Sequence, residues 1–151
     1  MSGIDAMLSL SAAHEEETGP LDRAKLTHML SNAFYSATHS GGGDGFLIAF
    51  DQAADYGGIN FKWFVERYSK FVYIDRVIVA PHARGQGLAR SFYEGLFDRA
   101  RAEGHTMVGC EINSDPPNPG SMAFHAALGF VEVGEAALDN GKCVSYQVKT
   151  L

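Results

Sequence analysis

The sequence predicts a single α/β (α+β) domain over residues 1–151, a mixed sheet with helices packed against it, and three stretches carry that reading. In the first, the β-branched run Val77-Ile78-Val79 ends at Pro81, a basic and glycine-rich turn follows, and Leu88, Phe92 and Leu96 recur at helical spacing. That is strand, turn, helix. In the second, the helix runs to Glu103 with an apolar stripe at 88, 92, 96 and 100 beside 89, 93 and 97, meets Gly104 as a C-terminal cap, and is followed by a strand from Thr106 to Ile112. A strand-helix-strand unit of this size is a right-handed parallel crossover. In the third, a strand starts at Val131 to Val133, Asp139-Asn140-Gly141 forms a tight turn, and Val144, Tyr146 and Val148 alternate within Lys142 to Val148. The chain therefore ends as an antiparallel hairpin.

A chain of 151 residues, 46% of them hydrophobic, can bury one real core and is too short for two comfortable domains. Its 12 basic and 18 acidic residues leave a net charge of −6, so nucleic acid would bind against the overall field and is excluded as a partner. Residues 1–17 lack a basic start and a long apolar run, and no window approaches a membrane span, so a soluble, cytoplasmic protein without a membrane partner is expected. Cys110 and Cys143 fall inside predicted strands rather than in a metal or secreted framework, which points to reduced core thiols and no structural metal.

Taken in order, Ile4 to Ala13 reads as a first strand or an irregular start, since the alternation of Ile4, Met7, Leu8 and Leu10 is poor. Pro20-Leu21-Asp22 opens a helix with apolar or small residues at 26, 29, 30, 33, 34 and 37, and the glycine cluster 41–45 ends it as a connector. Phe46 to Phe50 is an apolar run of strand length, expected to be buried on both faces. Residues 51–60 form a loop. Phe61, Phe64, Val65 and Tyr68 then recur at helical spacing, with Phe61, Phe64 and Val65 expected in the core. Trp63 and Tyr56 are not needed by that stripe and are candidates for lining a pocket.

Phe71 to Val79 alternates so that Tyr73, Asp75, Val77 and Val79 share one face and Val72, Ile74, Arg76 and Ile78 the other. A carboxylate inside a sheet needs a partner or a job, which singles out Asp75. Glu111 lies near the carboxyl edge of the next strand, on the face of Met107 and Gly109. It is either a second functional carboxylate or a solvated surface residue.

The turn Arg84-Gly85-Gln86-Gly87-Leu88-Ala89 follows a strand and opens a helix. Glycines let the backbone be approached closely, and a helix N-terminus offers unpaired N–H groups and a positive dipole, so the turn reads as a phosphate cradle. A Walker loop is absent, and a dinucleotide fingerprint fails because Arg90 occupies the place of its third small residue. Arg84-x-x-Gly87-x-Ala89 behind a strand ending Val79-x-Pro81 resembles the pyrophosphate-binding signature of the GNAT superfamily of acetyl-CoA-dependent N-acetyltransferases. Residues 118–130 resemble that family's later helix, with an Asn at its start and Gly129-Phe130 at its end. The family's usual aromatic hydroxyl, four residues before the Gly, is replaced here by His125. The likeness covers about residues 71–148.

The resemblance implies a mostly antiparallel mixed sheet, splayed between two parallel strands that hold acetyl-CoA (coenzyme A). Pantetheine would pair with the backbone near Ile78 and Val79, and pyrophosphate would sit on Arg84, Gly85, Gln86, Gly87, Leu88 and Ala89. Asn118, Ser121 and Phe124 complete the cofactor set, Asn118 doubling as N-cap before Pro119. Acetyl passes directly to an amine of a small molecule, peptide or protein, with Asp75 or Glu111 as base or ammonium anchor. His125 either faces the departing sulfur or packs neutral between Phe124 and Phe130. The resemblance assigns acceptor selection to residues 51–68, with Tyr56, Trp63 and Tyr73 as candidate contacts. A homodimer is left open, as are two other classes: a catalytically silent acyl-CoA sensor and a partner-binding domain.

Overall fold

The computed structural model describes residues 3–14 and 20–151. Among them the elements are α1 (Gly3–Ala12), α2 (Arg23–Asn32), β1 (Tyr35–His39), β2 (Gly45–Asp51), α3 (Ile59–Val65), β3 (Val72–Val79), α4 (Leu88–Ala102), β4 (Met107–Asp115), α5 (Pro119–Leu128), β5 (Val131–Ala137) and β6 (Cys143–Thr150). The strands form one sheet in the order β1-β2-β3-β4-β6-β5. All neighbours are antiparallel except β3 and β4. This is the mixed, mostly antiparallel sheet expected, with the parallel crossover through α4. No helix among the described residues is long and apolar enough to cross a membrane.

The first helix corrects the sequence reading. Ile4, Met7, Leu8 and Ser11 recur at i, i+3, i+4 and i+7, which is a helical stripe, and α1 buries Met7, Leu10 and Ser11. The predicted helix from Leu21 also stops early. Asp22 caps it by accepting from the Lys25 N–H, but the chain turns extended at Ala33, and Tyr35–His39 becomes the edge strand β1 paired with β2. The apolar residues at 33, 34 and 37 fit the helical period by coincidence; pairing with β2 decides their state.

Each face of the sheet carries its own apolar cluster. On one face, Met7, Leu10, Leu26, Met29, Phe61 and Phe64 from α1, α2 and α3 meet Phe46, Ile48, Phe50, Tyr73 and Tyr146. On the other, Phe92, Tyr93, Leu96 and Phe97 of α4 and Leu128 of α5 meet Leu47, Ala49, Val72, Ile74 and Ile112. β2 is thus buried on both faces, as its continuous apolar run requires. Val65 is the exception to the expected stripe. It lies at the last position of α3 and is 46% exposed, because the helix ends before its side can turn to the core. Cys110 is buried in β4, whereas Cys143 begins β6 at the hairpin end and is only half-buried, so one of the two expected core thiols lies at the core's margin.

Two irregularities of β3 shape the site. It pairs with β4 at only two positions, Val72 with Val108 and Tyr73 with Gly109. Beyond Tyr73 the strands part. On its other side β3 carries a bulge: Ala49 pairs with Ile74 and Ile48 with Arg76, so Asp75 is an extra residue. A bulge of this kind turns two successive side chains to one side and reverses the alternation after it. Hence Tyr73 before the bulge and Ile78 after it enter the same core cluster, and Val77 packs on the opposite face. The sequence reading, which put Tyr73, Asp75 and Val77 on one face, is corrected by that single inserted residue.

Phe64 packs among Trp63, Tyr68, Phe71, Tyr73 and Tyr146 with ring centroids 5.0 to 6.0 Å away, and it is fully buried. Phe64→Ala should cost about 3–5 kcal/mol in chemical denaturation, from lost burial and the cavity left behind. A cost below about 1 kcal/mol would mean that this aromatic cluster is not a packed core.

Candidate active site

The cradle is built as its glycines require. Gly85 and Gly87 adopt left-handed φ of 79° and 74°, and Gly87 is the N-cap of α4 without any side-chain cap. A Cβ at either would meet no atom of the described residues within 4 Å, so they leave the space above the loop open. Val79, Arg84, Leu88, Ala89 and Phe124 wall a recess over these glycines, while Gln86 is exposed. Arg84 folds back, its Nε donating to the Val79 carbonyl at 3.2 Å and its guanidinium lying 3.2 Å from His14. Asp44 pins the preceding turn from the glycine-rich connector. It accepts from His82 at 2.7 Å, from Ser40 at 2.8 Å and from His39 at 2.9 Å, while its carbonyl takes the Ala80 N–H. Those contacts, led by His82, hold the Asp44 carboxyl down at about 2. Sequence reading took 41–45 for a connector only, because nothing local announces a contact with residue 82.

Where β3 and β4 part, a cavity of about 170 Å³ opens, lined by residues 74–77 and 110–113 of the two strands, Tyr93 of α4, and Asn118, Ser121 and His125. The inner edge of β3 from Ile74 to Val79 faces this gap without a strand partner among the described residues. Unpaired backbone donors and acceptors in such a place call for a ligand that is itself extended. Asn118 stands at the gap as the N-cap of α5, its side chain accepting from the Ser121 N–H at 3.2 Å, with Pro119 in the first turn.

One face of the gap is acidic and aromatic. Tyr73, buried, donates its hydroxyl to Glu111 Oε2 at 2.7 Å. Asn60 also bonds the Glu111 carboxylate, and its own Oδ1 accepts from Tyr146 at 2.7 Å, which fixes the amide so that the NH2 faces Glu111. Burial, reinforced by the charge of Asp75, pushes Glu111 up to about 8 against those bonds. Glu111 is therefore not the solvated surface residue that the sequence left open. The side chain of Asp75 is 7% exposed and its Oδ2 has no hydrogen bond among the described residues; Arg76 Nε stands 3.7 Å away. Burial raises its pKa, opposed by a bond from Tyr56 and by the charges of Arg76 and Lys25. Arg76 is buried and donates to Ser11 Oγ at 2.8 Å.

The opposite face carries neutral groups. His125 is buried among the rings of Tyr93, Phe124 and Phe130, with centroids 5.1 to 5.3 Å away. Its Nδ1 is 2.8 Å from the Ser121 carbonyl and its Nε2 is 2.7 Å from the Tyr93 hydroxyl. Burial lowers its pKa.

The structure thus brings Tyr73, Asp75, Glu111 and Tyr56 to one side of the gap and Ser121 and His125 to the other, and Phe124 joins the cradle. Trp63 stands apart: it stacks on Tyr146 at 4.1 Å with Arg67 over its ring, packed rather than open. Asn60 and Tyr93 were not singled out. Tyr93 fits the apolar stripe of α4 so well that its hydroxyl gave no separate signal, and Asn60 acts through partners 51 and 86 positions away.

A raised Glu111 has a consequence for stability. Its charged form is disfavoured in the fold, so the unfolded chain loses this proton first, and the contribution present below pH 4.5 is lost as the pH rises to about 8. Glu111→Gln should gain stability relative to the wild type across that window and hold a constant difference above it. A difference independent of pH, measured by denaturation from pH 4 to 9, would contradict the burial of this carboxylate.

Comparison by sequence with curated proteins gives no match. Solved structures that share the fold include the following three. The Ard1 protein of Thermoplasma volcanium superposes with a TM-score of 0.77 at 14% identity, covering 99% of this chain and 91% of its own. One chain of the NatC complex bound to Gag peptide and CoA gives 0.74 at 14% identity, covering 99% of this chain and 91% of that one. The ribosomal-protein-S18-alanine N-acetyltransferase of Escherichia coli gives 0.67 at 16%, covering 97% and 86%. The acetyltransferase (GNAT) family description matches residues 9–130, which takes in the cradle, the split strands and the helix ending at Gly129. The split sheet with a glycine cradle at its mouth is therefore that of an acyltransferase, and the chain belongs to the acetyltransferase (GNAT) family.

Proposed function

We propose that this protein transfers acetyl from acetyl-CoA to an amine in the gap between β3 and β4, by direct attack in a ternary complex. The observation that carries the reading is the coincidence, at one gap, of an unpartnered strand edge, an anion cradle at its mouth and a carboxyl raised to about 8 on its wall. Family membership supports acetyl transfer in general. Pantetheine would lie along Ile78 and Val79 and pyrophosphate over residues 84–89. Arg84 would have to leave the Val79 carbonyl to face it.

The amine arrives on the acidic face. Asp75 Oδ2, buried and without a hydrogen bond among the described residues, is suited to hold an ammonium group, and Glu111 to take its proton, because a base is most useful when its pKa lies near the working pH. Tyr73 and Asn60 hold Glu111 and act as positioning residues. Juxtaposition of amine and thioester supplies much of the remaining acceleration. Tyr56 stands between this face and a recess formed with Lys25, His28, Met29 and Asp55 at the surface, which we assign to the non-reacting part of the acceptor. Trp63 takes no direct part in that assignment. Small-molecule and peptide amines both remain candidate acceptors.

Thiol release from acetyl-CoA in the presence of a panel of small amines and peptides tests the reading. Turnover is expected, with kcat/KM rising through a pKa near 8, and Glu111→Gln should remove that limb. Saturable binding without turnover would select the silent sensor instead. Gly87→Asp places a carboxylate over the cradle and should abolish acetyl-CoA binding in a folded protein, whereas Arg84→Ala should weaken it mildly because the backbone donors remain. Unchanged affinity for both variants would reject the cradle.

A further inference from the structure

His125 stands where the family's hydroxyl usually lies, and the hydrogen bonds around it decide what it can do. The Ser121 carbonyl can only accept, so the 2.8 Å contact puts a proton on Nδ1. A neutral ring then has a bare Nε2, and the Tyr93 hydroxyl 2.7 Å away must be the donor. The ring is enclosed by Phe124, Phe130 and Tyr93, an environment that keeps it uncharged. At this wall of the gap the available proton therefore belongs to Tyr93.

We propose that Tyr93, delivered from α4, supplies the hydroxyl that position 125 lacks and donates a hydrogen bond to the coenzyme A sulfur as it departs, with His125 as the residue that positions it. The proposal rests on the acetyl-transfer reading above. When the tetrahedral intermediate collapses, the C–S bond breaks and its electron pair stays on sulfur. A thiolate is a charged acceptor and draws the Tyr93 hydroxyl away from the neutral imidazole, since charge-assisted bonds are about twice as strong as neutral ones. No proton need cross: a thiol of pKa about 8.5 holds its proton less tightly than a phenol of about 10, and burial raises Tyr93 further. The thiolate takes its proton from water on leaving. Tyr93 acts as a fixed dipole aimed at developing charge.

The test is steady-state kinetics of wild type, Tyr93→Phe, His125→Phe and His125→Gln with acetyl-CoA and an amine that the wild type accepts. Tyr93→Phe should lower kcat on the order of 100- to 1,000-fold, the cost of removing one donor aimed at developing charge. Its acetyl-CoA affinity, measured by calorimetry, should stay within about twofold, which also shows that the variant is folded. His125→Gln retains an acceptor for the Tyr93 hydroxyl and should keep more activity than His125→Phe. Wild-type kcat should show no decline along an imidazole titration near or below pH 6.5. Full turnover by Tyr93→Phe in an active protein, or such a decline that persists in Tyr93→Phe and vanishes in His125→Phe, overturns this proposal alone. A wild type that binds acetyl-CoA and acetylates nothing overturns the acetyl-transfer reading and this proposal with it.

Discussion

The interaction on which the rest depends is one that stops short: β3 and β4 share two residue pairs and then separate. Each strand is held along its outer edge, β3 by β2 as far as Val79 and β4 by β6 as far as Asp115, so neither is free to close the gap. Among the described residues β3 has no strand partner along its inner edge beyond Tyr73, and a buried sheet tolerates backbone N–H and C=O groups there only where a side chain, as Arg84 is for the Val79 carbonyl, a ligand or water takes them. The bulge at Asp75 belongs to the same design. It brings Asp75 and Arg76 to one face next to the opening and sends Val77 to the other, so the carboxylate lies at the gap rather than deep in the core.

The gap passes through the sheet, and its two faces differ in chemistry because different helices cover them. The face covered by α1, α2 and α3 collects Asp75, Glu111 and the tyrosines 56, 73 and 146, where burial makes negative charge costly and lifts Glu111 to about 8. The face covered by α4 and α5 holds a neutral imidazole and a phenol locked to each other. In the proposed reaction the amine loses its proton on the first face and the sulfur gains negative charge toward the second. The sheet keeps the two events on opposite sides of the thioester.

Much of this fold was legible because its signals are local. The glycine turn between β3 and α4, the Asn118-Pro119 cap and the Asp139-Asn140-Gly141 turn each announce a backbone geometry within a few residues, and each formed as read. Two of the misreadings share one cause, pairing with a distant strand. β1 exists because β2 pairs with it, against an apolar pattern that fits a helix equally well. The bulge at Asp75 is set by the register against Ile48 and Ala49, which strict alternation cannot express. At the site, Asp75 stood out as a carboxylate that a sheet needs a reason to carry, Glu111 as a second carboxylate near the same edge, and His125 by its place four residues before Gly129, where the resembled family carries a hydroxyl. Tyr93, Asn60 and Asp44 did not, since each becomes notable only through a partner 32 to 86 positions away.

The central claim is that an extended ligand completes the split sheet, and backbone hydrogen exchange with and without coenzyme A tests it most directly. Saturation should slow exchange along the inner edge of β3 between residues 74 and 79 and in the cradle at residues 85–89. The paired stretch of β6, already bonded to β4 and β5 along its length, should change little. If the ligand binds and residues 74–79 exchange as fast as before, coenzyme A does not lie along that strand, and the account of the gap is wrong.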